Sequence, residues 1–257
     1  MLILVTNDDG ILSAGLTTLT EHLRSLGDVV VVAPDRERSA AGHSLTLHSP
    51  LRATEMAPGH YAVNGTPTDC VNLGVHGLFN RRPDLVVSGI NVGSNMGDDI
   101  TYSGTVAAAM EATLMGVPAF AVSLETEGGA PADFSTAARF AALMAARLTE
   151  SALPPDTFLN VNVPACSRQE VRGVRITRQG RRVYGDLVVE KLDPRGKKYY
   201  WIGAGDLGFK NEDGTDFHAV QQRFISVTPL HLDLTNYRSF DDLAGWRLDQ
   251  LSESLQA

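Results

Sequence analysis

The chain has 257 residues, of which 43% are hydrophobic, and that length and apolar content are enough to bury a large core. Its net charge is −8 without a run of Lys or Arg, which argues against a nucleic acid polymer as partner, because such binding rests on a basic face. No apolar stretch of about 18 residues predicts a membrane span, no signal peptide is visible, and Cys70 and Cys166 are too few for a disulfide framework, so we expect small buried thiols, no membrane partner and a cytoplasmic location.

The first 165 residues alternate strand and helix signals. After an apolar strand at 2–6, one helical stripe with spacings of four and three ends at Gly27; it comprises Leu12, Leu16, Leu19, Leu23 and Leu26. The other predicted elements are strands at 29–33, 85–87, 119–124 and 158–163, and helices at 105–115 and 132–148. Strands without alternation, separated by helices, predict an α/β protein with a doubly wound, mostly parallel sheet.

The pattern changes after about residue 165. Residues 174–178 and 198–202 are rich in β-forming side chains and predict a β-hairpin extension. An isolated hairpin is marginally stable, so we expect this arm to pack on another subunit. Residues 219–230 return to an apolar pattern, and residues 243–255 predict a terminal amphipathic helix. We therefore divide the chain into a catalytic core, 1–165, and an arm with a returning strand and helix, 166–257, which together form one structural unit.

Two adjacent carboxylates, Asp8 and Asp9, directly follow the first strand. Ligands of open α/β sheets bind outside the carboxyl ends of the strands. Two neighbouring like charges repel each other, and a hard cation such as Mg²⁺ or Mn²⁺ would relieve that repulsion through oxygen ligands. The simpler alternative is a turn, because Asp-Gly is a strong turn signal.

Three further polar loops are predicted at the same edge of the sheet. The loop at 34–46 is rich in hydroxyl groups, and the glycine-rich loop at 88–99 contains Asn91 and Asn95, which offer oxygens to a cation or N–H donors to a phosphate. Residues 103–105 precede a predicted helix, where they can bind an anion or act simply as an N-cap. Together these groups are what metal-assisted phosphoryl hydrolysis requires.

Eight motifs follow one another along the chain: NDDG at 7–10, APDRERSAAGHSLT at 33–46, GTPTDCV at 65–71, SGINVGSNMGDD at 88–99, YSGTVAAAMEA at 102–112, TRQG at 177–180, KYYW at 198–201 and SVTPLH at 226–231. In this order they resemble the SurE family of stationary-phase survival proteins. The resemblance implies a Rossmann-like fold and a divalent-metal-dependent phosphatase of nucleoside 5′-monophosphates, with 3′-nucleotides and short polyphosphate as further substrates. It also implies a β-arm exchanged within a homodimer or homotetramer.

The same resemblance assigns roles to individual residues. It implies one Mg²⁺ or Mn²⁺ per subunit, with Asp8 and Asp9 as both catalytic residues and metal ligands. The full set of implied metal ligands is Asp8, Asp9, Ser39 and Asn91. The implied phosphate-binding residues are Asn95, Ser103, Gly104 and Thr105.

The reaction path stays open at this point. Asp8 or Asp9 would position a water or accept its proton, and the alternative is a covalent aspartyl-phosphate. His43 and His231 are secondary candidates for the acid that protonates the leaving group, although a lone histidine is more often structural. For Tyr102 we expect core packing, with base stacking as the alternative.

Three other functional classes share part of this sequence pattern. A dinucleotide-dependent oxidoreductase is disfavoured because the first strand lacks a G-x-G-x-x-G fingerprint. A haloacid-dehalogenase-type phosphatase is disfavoured because its acidic residues are separated by one position rather than adjacent. A non-enzymatic nucleotide-sensing protein that keeps the pocket without turnover remains an alternative.

Overall fold

The computed structural model describes residues 1–126, 132–183, 188–202 and 208–251. The strands are β1 (Leu2–Thr6), β2 (Asp28–Pro34), β3 (Ala53–Ala57), β4 (His60–Val63), β5 (Leu85–Val92), β6 (Ala119–Leu124), β7 (Thr157–Val163), β8 (Gly173–Ile176), β9 (Arg182–Val183), β10 (Val188–Leu192), β11 (Lys198–Ile202), β12 (Gly208–Phe209) and β13 (Phe224–His231). The helices are α1 (Ala14–Leu23), α2 (Pro67–His76), α3 (Gly104–Leu114), α4 (Ser135–Glu150), α5 (Asp216–Gln221) and α6 (Phe240–Gly245).

One sheet organises the fold, with the strand order β3-β4-β2-β1-β5-β6-β7-β13-β8. All neighbours from β4 to β7 pair in parallel, whereas β3 and β13 run antiparallel to β4 and β7. The predicted mostly parallel α/β fold is therefore confirmed. Because β1 lies between β2 and β5, the direction of winding reverses there, and the carboxyl ends of β1 and β5 flank a crevice.

Apolar cores cover both faces of the sheet. On one face, α1 and α4 pack Leu16, Leu19 and several alanines against Ile3 and Val5 of β1. On the other face, α2 and α3 pack against Leu4 of β1 and its neighbours. Both faces of β1 are buried, which is why its sequence is continuously apolar rather than alternating.

Two of the element boundaries that differ from the sequence prediction lie close to residues 8 and 9. Leu12 is 83% exposed and lies outside α1. Ser13 is the N-cap of α1, because its Oγ accepts a hydrogen bond from the Leu16 N–H, and the helix begins at Ala14. Strand β5 continues to Val92 instead of ending at Val87, with a register shift between Gly89 and Asn91.

The predicted terminal helix at 243–255 is interrupted within its described part. Helix α6 is a short segment that ends at Gly245, and Arg247 then adopts φ 51°. That left-handed conformation interrupts helical hydrogen bonding. A short 3₁₀ turn, Leu248–Gln250, follows, and residues 252–255 of this prediction lie outside the described residues.

The predicted arm is only partly a hairpin. Strands β10 and β11 do pair antiparallel, with Val189 opposite Trp201. Residues 174–176, however, belong to β8, which pairs in parallel with β13 inside the main sheet. The reason is that β8 finds its partner about 50 residues downstream, which local alternation does not reveal. The division of the chain at residue 165 stays a prediction.

The sequence pattern predicts no strand or helix at residues 53–76. The structure has β3, β4 and α2 there. Cys70 on α2 is buried as expected, whereas Cys166 is only partly buried, because it lies in the segment that follows β7. The two cysteines do not form a disulfide with each other. Among the described residues, no helix combines the length and apolar character needed to cross a membrane.

Candidate active site

A fixed turn at the end of β1 presents the two carboxylates. The buried Asn7 donates from Nδ2 to the Gly10 carbonyl (3.1 Å) and to Ser13 Oγ (2.7 Å), and its Oδ1 accepts from the Gly10 N–H. Gly10 has φ +97°, a conformation that a residue with a side chain rarely adopts. The turn therefore holds Asp8 and Asp9 at the carboxyl end of β1. The turn that the Asp-Gly signal predicts and the candidate site are thus the same residues.

The N-terminus of α3 holds Asp8. The Thr105 N–H donates to Asp8 Oδ2 (3.1 Å), and the Thr105 hydroxyl donates to Asp8 Oδ1. Gly104 permits this approach, because a Cβ at that position would lie 2.9 Å from Asp8 Cβ. Burial raises the pKa of Asp8, and its hydrogen bonds with Thr105 oppose that rise. Gly104 and Thr105, implied phosphate ligands, thus also contact the implied metal ligand.

Asp9 is more exposed than Asp8 and is held through one oxygen. Its Oδ2 accepts a hydrogen bond from the Val92 N–H (3.2 Å) at the end of β5. Burial raises the pKa of Asp9 to about 6, and the neighbouring charges of Asp8 and Glu37 add to the rise. A negative potential of this kind at the mouth of a sheet favours a bound cation.

Ser39 lies in the loop after β2, and Asn91 lies near the carboxyl end of β5, next to Val92, whose N–H binds Asp9. The Arg38 N–H donates to the Asp8 carbonyl (2.7 Å), which brings the exposed Ser39 beside the turn. The hydroxyl of Ser39 donates to Glu37 Oε1 (2.7 Å). The Nδ2 atom of Asn91 donates to the Gly93 carbonyl (2.7 Å), an orientation that leaves its Oδ1 for another partner.

The chemistry of these donors fits a hard divalent cation. Within residues 1–126, 132–183, 188–202 and 208–251, no group of three or more His, Cys, Asp and Glu side chains is placed to hold a metal. A cation at the crevice would therefore need neutral oxygens besides Asp8 and Asp9. A hydroxyl and an amide oxygen supply them, and such oxygen sets suit Mg²⁺ and Mn²⁺ rather than Zn²⁺.

Asn95 is built into the core of the crevice. Its Nδ2 donates to Ser123 Oγ (2.8 Å), and its backbone N–H donates to Asn162 Oδ1 (2.8 Å). Asn160 and Asn162 both donate to its carbonyl. Asn95 is therefore firmly positioned, and its implied role in phosphate binding stays a prediction.

Ser103 is the N-cap of α3, because its Oγ accepts from the Val106 N–H (3.1 Å). This outcome agrees with the simpler alternative for a hydroxyl at that position. As an acceptor in the cap, the Ser103 hydroxyl keeps its own proton for a further acceptor such as a phosphate oxygen. The cap and the implied phosphate contact are thus compatible.

The secondary candidates occupy one side of the site. His43 Nε2 lies 2.6 Å from Glu111 Oε2, and His231 accepts at Nδ1 from the Asp233 N–H (3.1 Å). Tyr102 is 64% exposed, so the expected core packing is wrong. The reason is that Tyr102 ends a 3₁₀ turn and precedes the helix cap, where its ring points away from both cores.

Two buried carboxyl groups were missed by the sequence reading. Asp69 caps α2 and accepts from Thr46 N (2.9 Å) and Thr46 Oγ1 (2.6 Å), which anchors the loop that carries Ser39. Glu111 on α3 binds His43 and Asn72. The T-x-x-D pattern at 66–69 is a capping-box signal that would have located Asp69. No local signal exists for Glu111, because its partners are 39 and 68 positions away.

Comparison with known proteins relates the chain to one family. The family model described as "Survival protein SurE" matches residues 3–186. A protein of Syntrophotalea carbinolica named 5′-nucleotidase SurE is 65% identical over 96% of this chain and 98% of that relative. One of the same name from Geobacter metallireducens is 58% identical over 98% of this chain and 100% of that relative.

A solved structure has the same fold. The crystal structure of the SurE protein from Aquifex aeolicus superposes with a TM-score of 0.82 at 44% identity, and the match covers 94% of this chain and 98% of that one. The shared fold therefore extends over nearly the whole chain, including the strands that follow residue 165.

Proposed function

Because the chain belongs to the SurE family, we propose that it is a 5′-nucleotidase, which hydrolyses a nucleoside 5′-monophosphate to nucleoside and phosphate. The names of its relatives support this activity for them, and the relatives match nearly the full chain. The observation that carries the proposal here is the pair Asp8 and Asp9, held side by side at the crevice between β1 and β5 with raised pKa values.

The proposal includes one divalent cation per subunit, Mg²⁺ or Mn²⁺. Its ligands would be Asp8, Asp9, Ser39 and Asn91. Support comes from the repulsion between the two carboxylates and from the neutral oxygens that Ser39 and Asn91 carry. Each of these residues adjoins one whose N–H binds Asp8 or Asp9. When bound, such a cation neutralises charge on the phosphate and lowers the pKa of a coordinated water.

The residues of this chain have separable tasks in the proposed reaction. Thr105 fixes both oxygens of Asp8, so Asp8 serves as a rigid ligand rather than as a nucleophile. Asp9 is held through Oδ2 alone, and its Oδ1 is the atom that we assign to accept a proton from the attacking water. This arrangement favours direct attack by water over a covalent aspartyl-phosphate.

We assign the phosphate to the N-terminus of α3. Asn95, Ser103, Gly104 and Thr105 line that end of the helix or the adjoining strand ends. The helix dipole favours a negative ligand there, and the Ser103 hydroxyl keeps its proton for a phosphate oxygen. Phosphate esters of 3′-nucleotides and short polyphosphate would present the same terminal group, so we include them as further substrates.

The first test is phosphate release from a panel of nucleoside monophosphates, with and without Mg²⁺ or Mn²⁺. We expect release only with metal, and a loss of at least about 100-fold in Asp8→Asn, because that variant loses a charged ligand. Asp241→Asn on α6 removes a carboxylate outside the site and should keep full activity.

Two outcomes would contradict the proposal in different ways. Release by Asp8→Asn at the wild-type rate would refute the assigned metal site. Nucleotide binding without phosphate release from any substrate would indicate the nucleotide-sensing alternative. The stereochemical course at the phosphorus atom separates the two routes, since one direct attack by water inverts the configuration, whereas the two displacements through an aspartyl-phosphate retain it.

We also propose that the protein is a homodimer or homotetramer joined through its β-hairpin. In the single chain, β10 and β11 leave most of their apolar side chains exposed; these include Val188, Leu192, Tyr200, Trp201 and Ile202. Two-stranded hairpins with such surfaces are stable when another surface covers them.

A further inference from the structure

Two asparagines of β7 fasten the backbone of Asn95. The Asn95 N–H donates to Asn162 Oδ1 (2.8 Å), and its carbonyl accepts from Asn160 Nδ2 (2.8 Å) and from Asn162 Nδ2 (2.9 Å). The Asn162 amide thus binds both backbone groups of one residue, as a neighbouring strand would. Asn95 lies after the end of β5 and outside any helix, so these side-chain bonds take the place of backbone pairing there.

The three side chains that hold Asn95 come from one face of the sheet. Asn160 and Asn162 are two positions apart on β7, which places them on the same face, and Ser123 on β6 is the register partner of Asn162. All three are 0% exposed, so water does not replace their bonds. Buried polar groups from two central strands therefore converge on one loop residue.

This arrangement leaves one donor of Asn95 for a ligand. The bond from Asn95 Nδ2 to Ser123 Oγ (2.8 Å) uses one of the two hydrogens of that nitrogen. The second hydrogen is the group that the proposed phosphate contact requires. Ser123 sets the orientation of the side-chain amide, and the two asparagines of β7 set the position of the backbone that carries it. The donor is thus fixed before a phosphate arrives, which is the condition for electrostatic stabilisation in a site.

Asn160 is retained although it leaves a buried oxygen unpaired. Its Nδ2 binds the Asn95 carbonyl, whereas its Oδ1 has no hydrogen-bond partner among the residues that the structure describes. An apolar side chain of similar shape would remove that penalty, and the Asn95 carbonyl would keep its bond from Asn162. Stability therefore does not explain an asparagine at this position, and local violations of this kind are expected at functional sites.

Resting on the function proposed above, we propose that Asn160 is a positioning residue of the phosphate site and that it acts through Asn95. Asn162 pairs with both backbone groups of Asn95 and so supports the fold as well as the site. Asn160 adds a second bond to the Asn95 carbonyl, which restricts the tilt of that peptide group and of the side chain that follows it. Its contribution is therefore to the precision of the site rather than to the stability of the protein.

The first experiment separates activity from stability in variants of Asn160. Asn160→Leu removes the donor and the unpaired oxygen together, so its urea midpoint should equal or exceed that of wild type. The kcat/KM of the metal-loaded enzyme for a nucleoside 5′-monophosphate should fall about 10-fold, because the phosphate donor is no longer held in place. Asn160→Ala cannot crowd its neighbours and should show the same loss of kcat/KM.

The matched control is Thr228→Val on β13. Thr228 is the register partner of Asn160 and is also buried, but its hydroxyl binds Thr177 Oγ1 (2.8 Å). This variant should lower the urea midpoint and leave kcat/KM within about twofold of wild type. A loss of kcat/KM that follows the loss of stability equally in Asn160→Ala and Thr228→Val would overturn the inference, because it would show a structural role.

A double-mutant cycle shows whether Asn160 acts through Asn95. Asn95→Ala removes the donor itself and should lower kcat/KM at least as far as Asn160→Leu does. Added to Asn95→Ala, Asn160→Leu should change kcat/KM by less than about twofold, because the group that it positions is already gone. A further loss of about 10-fold in that background would overturn the assignment.

Calorimetric titration of the Mg²⁺-loaded protein with inorganic phosphate tests the same positioning without turnover. The affinity of Asn160→Leu for phosphate should be about 10-fold below that of wild type. Such a loss would support the inference even if no substrate released phosphate, a result that would refute only the proposed activity. Phosphate release at the wild-type kcat/KM in both Asn160 variants would overturn the inference and leave the activity intact.

Discussion

Asp9, a proposed metal ligand, lowers the stability of the metal-free fold that holds it. Its carboxylate lies beside that of Asp8, and burial and repulsion raise its pKa to about 6 from an ordinary value of 3.8. A carboxyl group with a raised pKa stabilises the fold fully below its unfolded pKa, and that stability is lost as pH rises through about 6. The metal-free protein is therefore penalised at neutral pH.

We expect Asp9→Asn to stabilise the metal-free protein at pH 7.5 by about 1 kcal/mol. This figure is well below the full linkage value, because Asp9 is partly exposed and solvent screens its charge. The amide oxygen still accepts the Val92 N–H, so the change removes charge rather than shape. Urea unfolding in EDTA at several pH values measures the effect, which should shrink as pH falls from 7.5 towards 4.5.

Added Mn²⁺ provides the control for this prediction. It should reverse the order of stability, because it binds the folded wild type and stabilises it by mass action, whereas Asp9→Asn has lost a ligand. A variant less stable than wild type at pH 7.5 without metal would contradict the repulsion between Asp8 and Asp9.

At the scale of single residues, sequence predicted the groups that follow strands. Asp8, Asp9 and Asn91 were placed at one edge by the strand pattern alone, since parallel strands end at the same edge. Their partners were beyond reach, because Thr105 is 97 positions from Asp8 and Glu111 is 68 from His43. Such contacts depend on tertiary packing.

At the scale of elements, the cap of α2 couples the stability of that helix to the conformation of the loop at 34–46, which carries the proposed metal ligand Ser39. Asp69 completes a capping box with Thr66 and also binds the backbone and hydroxyl of Thr46. One buried carboxylate thus connects α2 with the loop that contains Ser39.

We expect Asp69→Ala to destabilise the protein by about 3 kcal/mol, because it leaves buried N–H donors without partners. Loosening of the loop should also weaken Mn²⁺ binding by about 3- to 10-fold. Urea unfolding and calorimetric titration with Mn²⁺ measure the two effects separately.

The matched control is Thr215→Ala, which removes the N-cap of α5. It should cost about 1 kcal/mol and leave the Mn²⁺ affinity unchanged, because α5 lies away from the loop. Unchanged affinity in Asp69→Ala would show that Asp69 supports only the helix.

Prediction of elements from sequence succeeded where local pattern and tertiary packing agree. The buried strands β1, β2, β6 and β7 were found because burial on both faces requires continuous apolar runs. Strand β3 was missed, because all five of its residues are exposed at the sheet edge, where no buried face imposes an apolar pattern. Strand β8 was assigned to the wrong sheet, because its partner is distant in sequence.

At the scale of the whole molecule, the exposed hairpin implies a partner surface. Tyr199 and Trp201 lie on one side of β11, and Trp201 is 60% exposed. Aromatic side chains of this kind are enriched in protein interfaces.

We expect wild type to sediment as a dimer or larger, and the double variant Tyr199→Glu and Trp201→Glu to sediment as a smaller species, because buried charges are costly in an interface. Light scattering after size exclusion gives the masses. Lys197→Glu in the hairpin turn changes the charge without apolar loss and should retain the wild-type mass. A double variant with the wild-type mass would exclude this face from the interface.

The late insertion of β13 has a consequence for protein synthesis. Strand β7 can pair with β13 only after β13 has left the ribosome. The start of β13 is synthesised about 60 residues after Val163, which takes about 3–12 s at about 5–20 residues per second. During that interval the apolar edge of β7 is unpaired, which makes the nascent chain a template for aggregation. The four residues proposed as metal ligands, the last of which is Asn91, precede this interval, whereas β13 follows it. A translating ribosome therefore carries a chain whose proposed cation ligands are all present before its central sheet is complete.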